Sequence, residues 1–258
     1  MSARWQEVAD GILVRRHAEL DLNCGLVLGD GACLVVDTRS HLGEAAELVA
    51  AVREVTPHPW MVVNTHAHYD HCFGNAAFRP AVIWGSRGCA ATLTATADEQ
   101  RAAVVAELRS AGDDHAAELV RSAPVDPPDA LVDDTAVLDV GGREVVLRFL
   151  GRGHTDHDLV VEVEAAGDAT VVFAGDLVEQ GAPPAFEDAW PAEWPATLGR
   201  LHALARGPVV PGHGGVVDAA FVGGQREELL AVLDAVRAGR LDAGPYPPAT
   251  MAVAAARR

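Results

Sequence analysis

The chain has 258 residues, 49% of them hydrophobic, enough for a sizeable buried core and at odds with a disordered chain. Its 37 acidic residues outnumber 20 basic ones, all of them arginine, and the formal charge is −17 with no run of basic residues. That balance argues against nucleic acid or anionic membrane as the principal partner, because binding phosphate needs clustered cations.

The opening "MSARWQEVADGILVRRH" lacks the continuous apolar core of a signal peptide, and no stretch reaches the length of a membrane span. Cys24, Cys33, Cys72 and Cys89 form no CxxC pair and no disulfide-like framework. A cytoplasmic chain with reduced thiols is the expectation.

In chain order, "GLVLGDGACLVVD" (25–37) reads as two apolar strands joined by a tight turn at "GDG". A helix follows, with Leu48, Val49, Val52 and Val55 on one face. "TPHP" breaks it, and "WMVVNTH" returns as a short buried strand that runs into "HAHYDH". "AVIWGS" is a further strand, and 88–122 is Ala-rich and helical, expected to pack rather than to act as a lid. The Pro-rich "APVDPPDA" (123–130) marks a linker or a crossing between halves. "REVVLRFL" then alternates, placing Val145, Leu147 and Phe149 on one face, and "LVVEVEAAGDATVVFAGD" reads as a hairpin. A helix near 195–206, the strand "PVVPGH" and a helix near 218–238 close the chain. Both halves run strands first and helices after, which fits a pseudo-duplicated pair of sheets with helices outside.

Residues 64–75, "NTHAHYDHCFGN", hold His66, His68, Asp70 and His71 within six positions, at the end of a strand where α/β sheets usually place their chemistry. Three later strands also end in glycine and then a ligand-type residue: His154 in "LGRGH", Asp176 in "AGD" and His213 in "PGH". Five histidines and two aspartates are too many for one tetrahedral zinc, which takes three protein ligands and a water. They suit two ions that share a carboxylate and a hydroxide.

"HAHYDH", followed in order by Gly-His, Gly-Asp and Gly-His at strand ends, resembles the metallo-β-lactamase superfamily from "VVDT" to "PGHG". The resemblance implies an α/β fold, a four-layer αββα sandwich of two pseudo-duplicated halves, as a single domain over 1–258. It implies that His66, His68 and His154 hold one metal, that Asp70, His71 and His213 hold the other, and that Asp176 bridges them. Some true β-lactamases of the superfamily carry cysteine at the bridging position, so Asp176 favours the glyoxalase-like and lactonase-like ligand set.

The implied activity is that of a hydrolase with two zinc ions. A metal-bridging hydroxide attacks an ester, thioester, lactone or lactam, and Asp70 orients it and shuttles a proton. A mononuclear iron dioxygenase of the persulfide type is the alternative on the same scaffold. Loops 16–23 and 179–194 are expected to flank the pocket. The second contains no basic residue but carries Glu179, Glu187, Asp188 and Glu193, which disfavours β-lactams and glutathione thioesters. Phe186, Trp190 and Trp194 either line an apolar wall for a small neutral substrate or pack beneath the loop. The tail "LDAGPYPPATMAVAAARR" offers a poor anchor for glutathione.

His157 reads either as support behind a ligand or as a loop histidine, and Asp158 either as an orienter of a ligand histidine or as a turn cap. Cys72 reads as a buried thiol. His17, His41, His58, His115 and His202 lack the ligand context and read as structural.

Overall fold

The computed structural model describes residues 4–257. Strands β1 (Trp5–Ala9), β2 (Ile12–Arg16), β3 (Asn23–Leu28) and β4 (Cys33–Val36) form an antiparallel meander. Helix α1 (Leu42–Val55) starts where His41 Nδ1 accepts from the backbone of Gly43 and Glu44, satisfying two of the donors a helix start leaves open. Its buried face is Ala45, Leu48 and Val52; Val55, expected on that face, is 36% exposed in the last turn.

Strand β5 (Trp60–Val63) lies parallel to β4, the single-turn helix α2 (Tyr69–Cys72) follows, and β6 (Ile83–Ser86) lies parallel to β5. The Ala-rich segment is two helices, α3 (Arg87–Ser110) and α4 (Asp114–Arg121), not one. Gly112, at φ +82° between them, takes a left-handed conformation that few other residues adopt. Strand β7 (Ala130–Val132) then pairs with β6. The Pro-rich segment therefore returns the chain to the first sheet, and the crossing between halves falls after β7. The seven strands take the order β1-β2-β3-β4-β5-β6-β7.

The second sheet is built from β8 (Thr135–Val140), β9 (Arg143–Phe149), β10 (Leu159–Glu164) and β11 (Thr170–Glu179), all antiparallel neighbours. Helix α5 (Trp194–Leu204) leads to β12 (Val209–His213), which lies parallel to β11, and helices α6 (Ala219–Arg237) and α7 (Pro248–Ala256) follow. The tail that reads as a weak anchor is thus a helix seated through the buried Met251 and Ala254.

The two sheets meet face to face. Ile12, Val14, Leu34, Val36 and Val63 from the first interleave with Val145, Leu147, Leu159, Val161 and Phe173 from the second. Outside the first sheet, Leu48 and Val52 of α1 cover Leu26, Cys33 and Val35. Outside the second, Leu198, Leu229 and Met251 cover Val160 and Val172. Strands with both faces covered are apolar without alternation, which is why β4 and β11 read as continuous runs. This is the four-layer αββα sandwich expected from the sequence. Among the described residues no helix is long and apolar enough to cross a membrane.

Candidate metal centre

The seven ligand-type residues converge at one end of the sandwich, from five different segments. His66 and His68 lie in the loop after β5, Asp70 and His71 on α2, and His154 in the loop between β9 and β10. Asp176 is inside β11, and His213 ends β12. They form two groups, His66–His68–His154–Asp176 and Asp70–His71–His213, each with one ligand atom per residue within 4.8 Å of the others.

In the first group, His66 Nε2 stands 3.1 Å from His68 Nδ1, and His154 Nε2 stands 3.0 Å from that same atom. In the second, the Nε2 atoms of His71 and His213 are 3.4 Å apart, and Asp70 Oδ2 is 3.4 Å from His213 Nε2. Asp176 lies between the groups. Its Oδ1 is 3.2 Å from His71 Nε2, and its Oδ2 is 3.3 Å from His213 Nε2, 3.5 Å from His154 Nε2 and 3.7 Å from His66 Nε2.

These spacings suit zinc. With Zn–N near 2.0–2.1 Å, the edge of a tetrahedron of nitrogens is about 3.3 Å. A shared cation satisfies a cluster of imidazole nitrogens that all face one another, since neutral nitrogens cannot all donate to each other. Asp176 Oδ1 is moreover buried without a hydrogen-bond donor. The approach of β12 is what permits this: a Cβ on Gly212 would stand 1.7 Å from Asp176 Oδ1, so only glycine fits there.

The electrostatics vary from ligand to ligand: burial opposes a charge on His68, but its hydrogen bond to Asp188 outweighs that and raises its pKa. Burial, with His71 nearby, pushes His66 well below the usual histidine range, and burial pushes His154 down to about 4. Both therefore offer free lone pairs at neutral pH. Burial also opposes a charge on His213, but the carboxylates of Asp176 and Asp70 outweigh it and raise its pKa to about 12. His71 is raised for the same reason, and the surrounding imidazoles hold Asp176 ionised against its burial. The buried carboxylates thus favour positive charge at this position, which a bound cation would supply.

Behind the ligands lies a second set of hydrogen bonds. Asp37 accepts from the Thr65 backbone at 2.8 Å, from Thr65 Oγ1 at 2.8 Å and from His71 Nδ1 at 2.8 Å. The Thr65 hydroxyl, its hydrogen given to Asp37, accepts from His66 Nδ1 at 3.0 Å. His213 Nδ1 donates to the Leu20 carbonyl at 2.7 Å, and His68 Nε2 donates to Asp188 Oδ2 at 2.9 Å. Each link fixes a tautomer and so decides which nitrogen points inward.

Sequence reasoning gave Asp37 and Thr65 no role. The signal was the strand ending "VVDT", whose Asp carries a positive φ of 63° that a non-glycine residue adopts only when its surroundings demand it. His157 proves to be support behind the ligand loop: its Nε2 accepts from the Ala67 backbone at 3.2 Å, and its Nδ1 faces Asp156. Asp158 caps the turn through the Thr155 N–H and hydroxyl. Cys72 is fully buried, as are the other three cysteines. His17, His41, His58, His115 and His202 fall outside both ligand groups.

Over the ligands opens a cleft of about 730 Å³. Leu20 and Asp21 line one side, residues 179–188 supply the other, and Gln100, Ala103 and Val104 of α3 form a wall. Helix α3 packs through Cys89, Leu93 and Ala97 and touches the ligand loop where Gln100 Nε2 donates to the Ala67 carbonyl at 3.1 Å. Phe186, Trp190 and Trp194 do not form the cleft wall. Phe186 and Trp194 are buried against each other beneath the loop, and Trp190 stacks under Arg152 outside it.

A face-to-face αββα sandwich with two adjoining groups of nitrogen and carboxylate donors at its edge defines a metal-dependent class of proteins. The profile of the metallo-beta-lactamase superfamily matches residues 19–237, and the chain belongs to that superfamily. Among solved structures, a metallo-beta-lactamase from Pontibacter korlensis superposes with TM-score 0.66 at 18% identity, covering 89% of this chain and 99% of that one. The metallo-beta-lactamase DIM-1 superposes with TM-score 0.63 at 18% identity, covering 88% of this chain and 96% of its own. TMB-1 does so at 0.61 and 17%, covering 88% and 96%. These likenesses concern the fold. No curated protein sequence matches the chain.

Proposed function

We propose that this protein is a dinuclear zinc hydrolase that cleaves an ester, thioester, lactone or lactam bond in a small molecule. The observation that carries the reading is Asp176, a buried carboxylate within 3.7 Å of four imidazoles drawn from both donor groups. In this reading His66, His68 and His154 hold one ion, Asp70, His71 and His213 hold the other, and Asp176 serves both. When bound, the metal pair supplies an acidified water and a Lewis acid for a carbonyl oxygen.

The chain's own groups do the rest. Asp70, buried yet lining the cleft, is placed to orient the attacking water and to pass a proton to the leaving group. Leu20, Tyr69, Ala103 and Val104 give the cleft an apolar side that suits an uncharged substrate body. Glu187 and Asp188 face the same space and repel a substrate carboxylate, whereas burial raises the Glu179 carboxyl to about 8 and leaves it largely neutral.

The test is elemental analysis of protein purified without added metal, followed by a panel of esters, thioesters, lactones and lactams. About two zinc per chain with turnover of one class supports the reading. About one iron per chain and no hydrolysis overturns it and directs attention to O₂-dependent sulfur chemistry.

A further inference from the structure

His68 differs from the other candidate ligands in what stands behind it. His66 is backed by Thr65 on its own loop, His71 by the buried Asp37 and His213 by the Leu20 carbonyl, while His154 Nδ1 is buried without a hydrogen-bond partner. The partner of His68 comes instead from the loop that forms the cleft wall. Asp188, on the exposed connection between β11 and α5, places Oδ2 2.9 Å from His68 Nε2. Its side chain is 46% exposed, whereas that of Asp37 is 3% exposed.

The geometry at His68 makes this contact consequential. Its Nδ1 is the nitrogen that faces His66 and His154. An imidazole that offers a lone pair at Nδ1 carries its hydrogen at Nε2, and that hydrogen lies on Asp188. The loop is otherwise anchored on either side of Asp188. Phe186 is buried against Trp194 and Tyr246, and the Trp190 N–H donates to the Gly153 carbonyl at 2.8 Å, one residue before His154. Asp188 is the polar link from this loop to the half of the centre carried by the first sheet.

We propose that Asp188 is a positioning residue that couples metal binding at His66, His68 and His154 to the placement of the cleft-wall loop. The inference rests on the metal-centre reading above. Coupling between two equilibria is reciprocal: by whatever factor Asp188 tightens metal binding, bound metal tightens the loop's hold on the centre. Loading the first group therefore orders one wall of the cleft, and substrate meets a completed pocket only in the metal-loaded protein.

The experiment compares the wild type with Asp188→Ala and Asp188→Asn, titrating the metal-free proteins with zinc in competition with a chromophoric chelator. Hydrogen exchange of residues 181–190 is followed with and without zinc. In Asp188→Ala the tighter zinc equilibrium should weaken by about 10–100-fold, the range for loss of such an outer carboxylate. Asp188→Asn, whose amide oxygen still accepts from Nε2, should restore part of it. Zinc should slow exchange of the loop in the wild type and leave it unchanged in Asp188→Ala. Equal melting temperatures of the metal-free proteins would show that the half-exposed side chain is not itself holding the fold. Zinc affinities within twofold of wild type, or wild-type loop exchange indifferent to zinc, overturn the coupling and leave the metal centre standing. A wild type that binds no zinc overturns both.

Discussion

Asp37 and His71, on separate segments of the first sheet's edge, share a buried hydrogen bond of 2.8 Å, and Asp37 adopts a positive φ of 63° to make it. The same carboxylate holds the backbone and hydroxyl of Thr65, so one residue orients a histidine of each donor group, His71 directly and His66 through the threonine. Asp37→Ala leaves several buried donors without an acceptor. It should lower stability by at least about 2 kcal/mol, measured by chemical denaturation of the metal-free protein. Thr65→Val removes the hydroxyl that links Asp37 to His66 but keeps the backbone bond to Asp37, and it should weaken zinc binding about tenfold with a smaller stability change. Unaltered stability in the first variant would mean that Asp37 is not holding these groups.

Gly212 tests the bridging geometry. Its backbone passes so close to Asp176 that an added Cβ would meet Oδ1 at 1.7 Å. Gly212→Ala should displace that carboxylate and abolish stoichiometric binding of the second metal, read by elemental analysis after dialysis. Gly224→Ala, in helix α6 with open space around the Cβ, is a comparison that leaves the centre untouched. A Gly212→Ala protein that keeps both metals would place the bridge elsewhere.

Metal removal should destabilise the fold. A cation that binds the native state and not the unfolded chain adds about 4 kcal/mol at a thousandfold excess over its Kd. Dialysis against chelator should therefore lower the melting temperature, and added zinc should restore it. A melting temperature indifferent to both treatments would contradict a metal centre built from these seven residues.

His17 makes a pH prediction away from the centre. It is 2% exposed, and burial, with Arg39 and Arg15 beside it, lowers its pKa to about 3 from an ordinary 6.5. The unfolded chain therefore binds the proton first. The stability that neutral His17 contributes is whole above pH 6.5 and is lost as pH falls towards 3. His17→Asn keeps an acceptor for Arg39 without the titration, and it should flatten the acid side of the stability curve by about one proton's worth, about 1.4 kcal/mol per pH unit. Identical slopes in the two proteins would show that His17 is not a source of the acid sensitivity.

Glu187 bears on substrate choice. It is exposed at the cleft, beside Asp188. A neutral ester should be cleaved with a kcat/KM about tenfold or more above that of its carboxylate-bearing analogue, and Glu187→Arg should narrow the gap by relieving the repulsion. Preference for the anionic analogue in the wild type would contradict the charge argument.

The ligand set was legible in the chain because it is written locally. Four ligand types fall within six positions at 66–71, and His154, Asp176 and His213 each follow a glycine at the end of an apolar run. Those patterns report backbone turns and strand ends, which depend on neighbours in sequence, and the layered fold follows from the same apolar runs. The amphipathic reading of α1 failed at Val55, which stands exposed in the last turn of the helix. The aromatic residues 186, 190 and 194 were ambiguous, since a ring between polar residues looks the same in sequence whether it faces a cleft or the core beneath it.

What only the tertiary structure decided is how the donors are aimed. Which nitrogen His71 and His68 offer depends on the groups behind them, and those groups lie far away in sequence: Asp37 is 34 residues from His71, and Asp188 is 120 from His68. A hydrogen bond between distant residues leaves no period, spacing or composition in the chain that could announce it. The chain by itself specifies ligand-type residues beside strands and their glycines; the packing of two sheets turns that collection into a centre, because only there do those separate segments, Asp176 inside β11 among them, come within a few ångströms of one another.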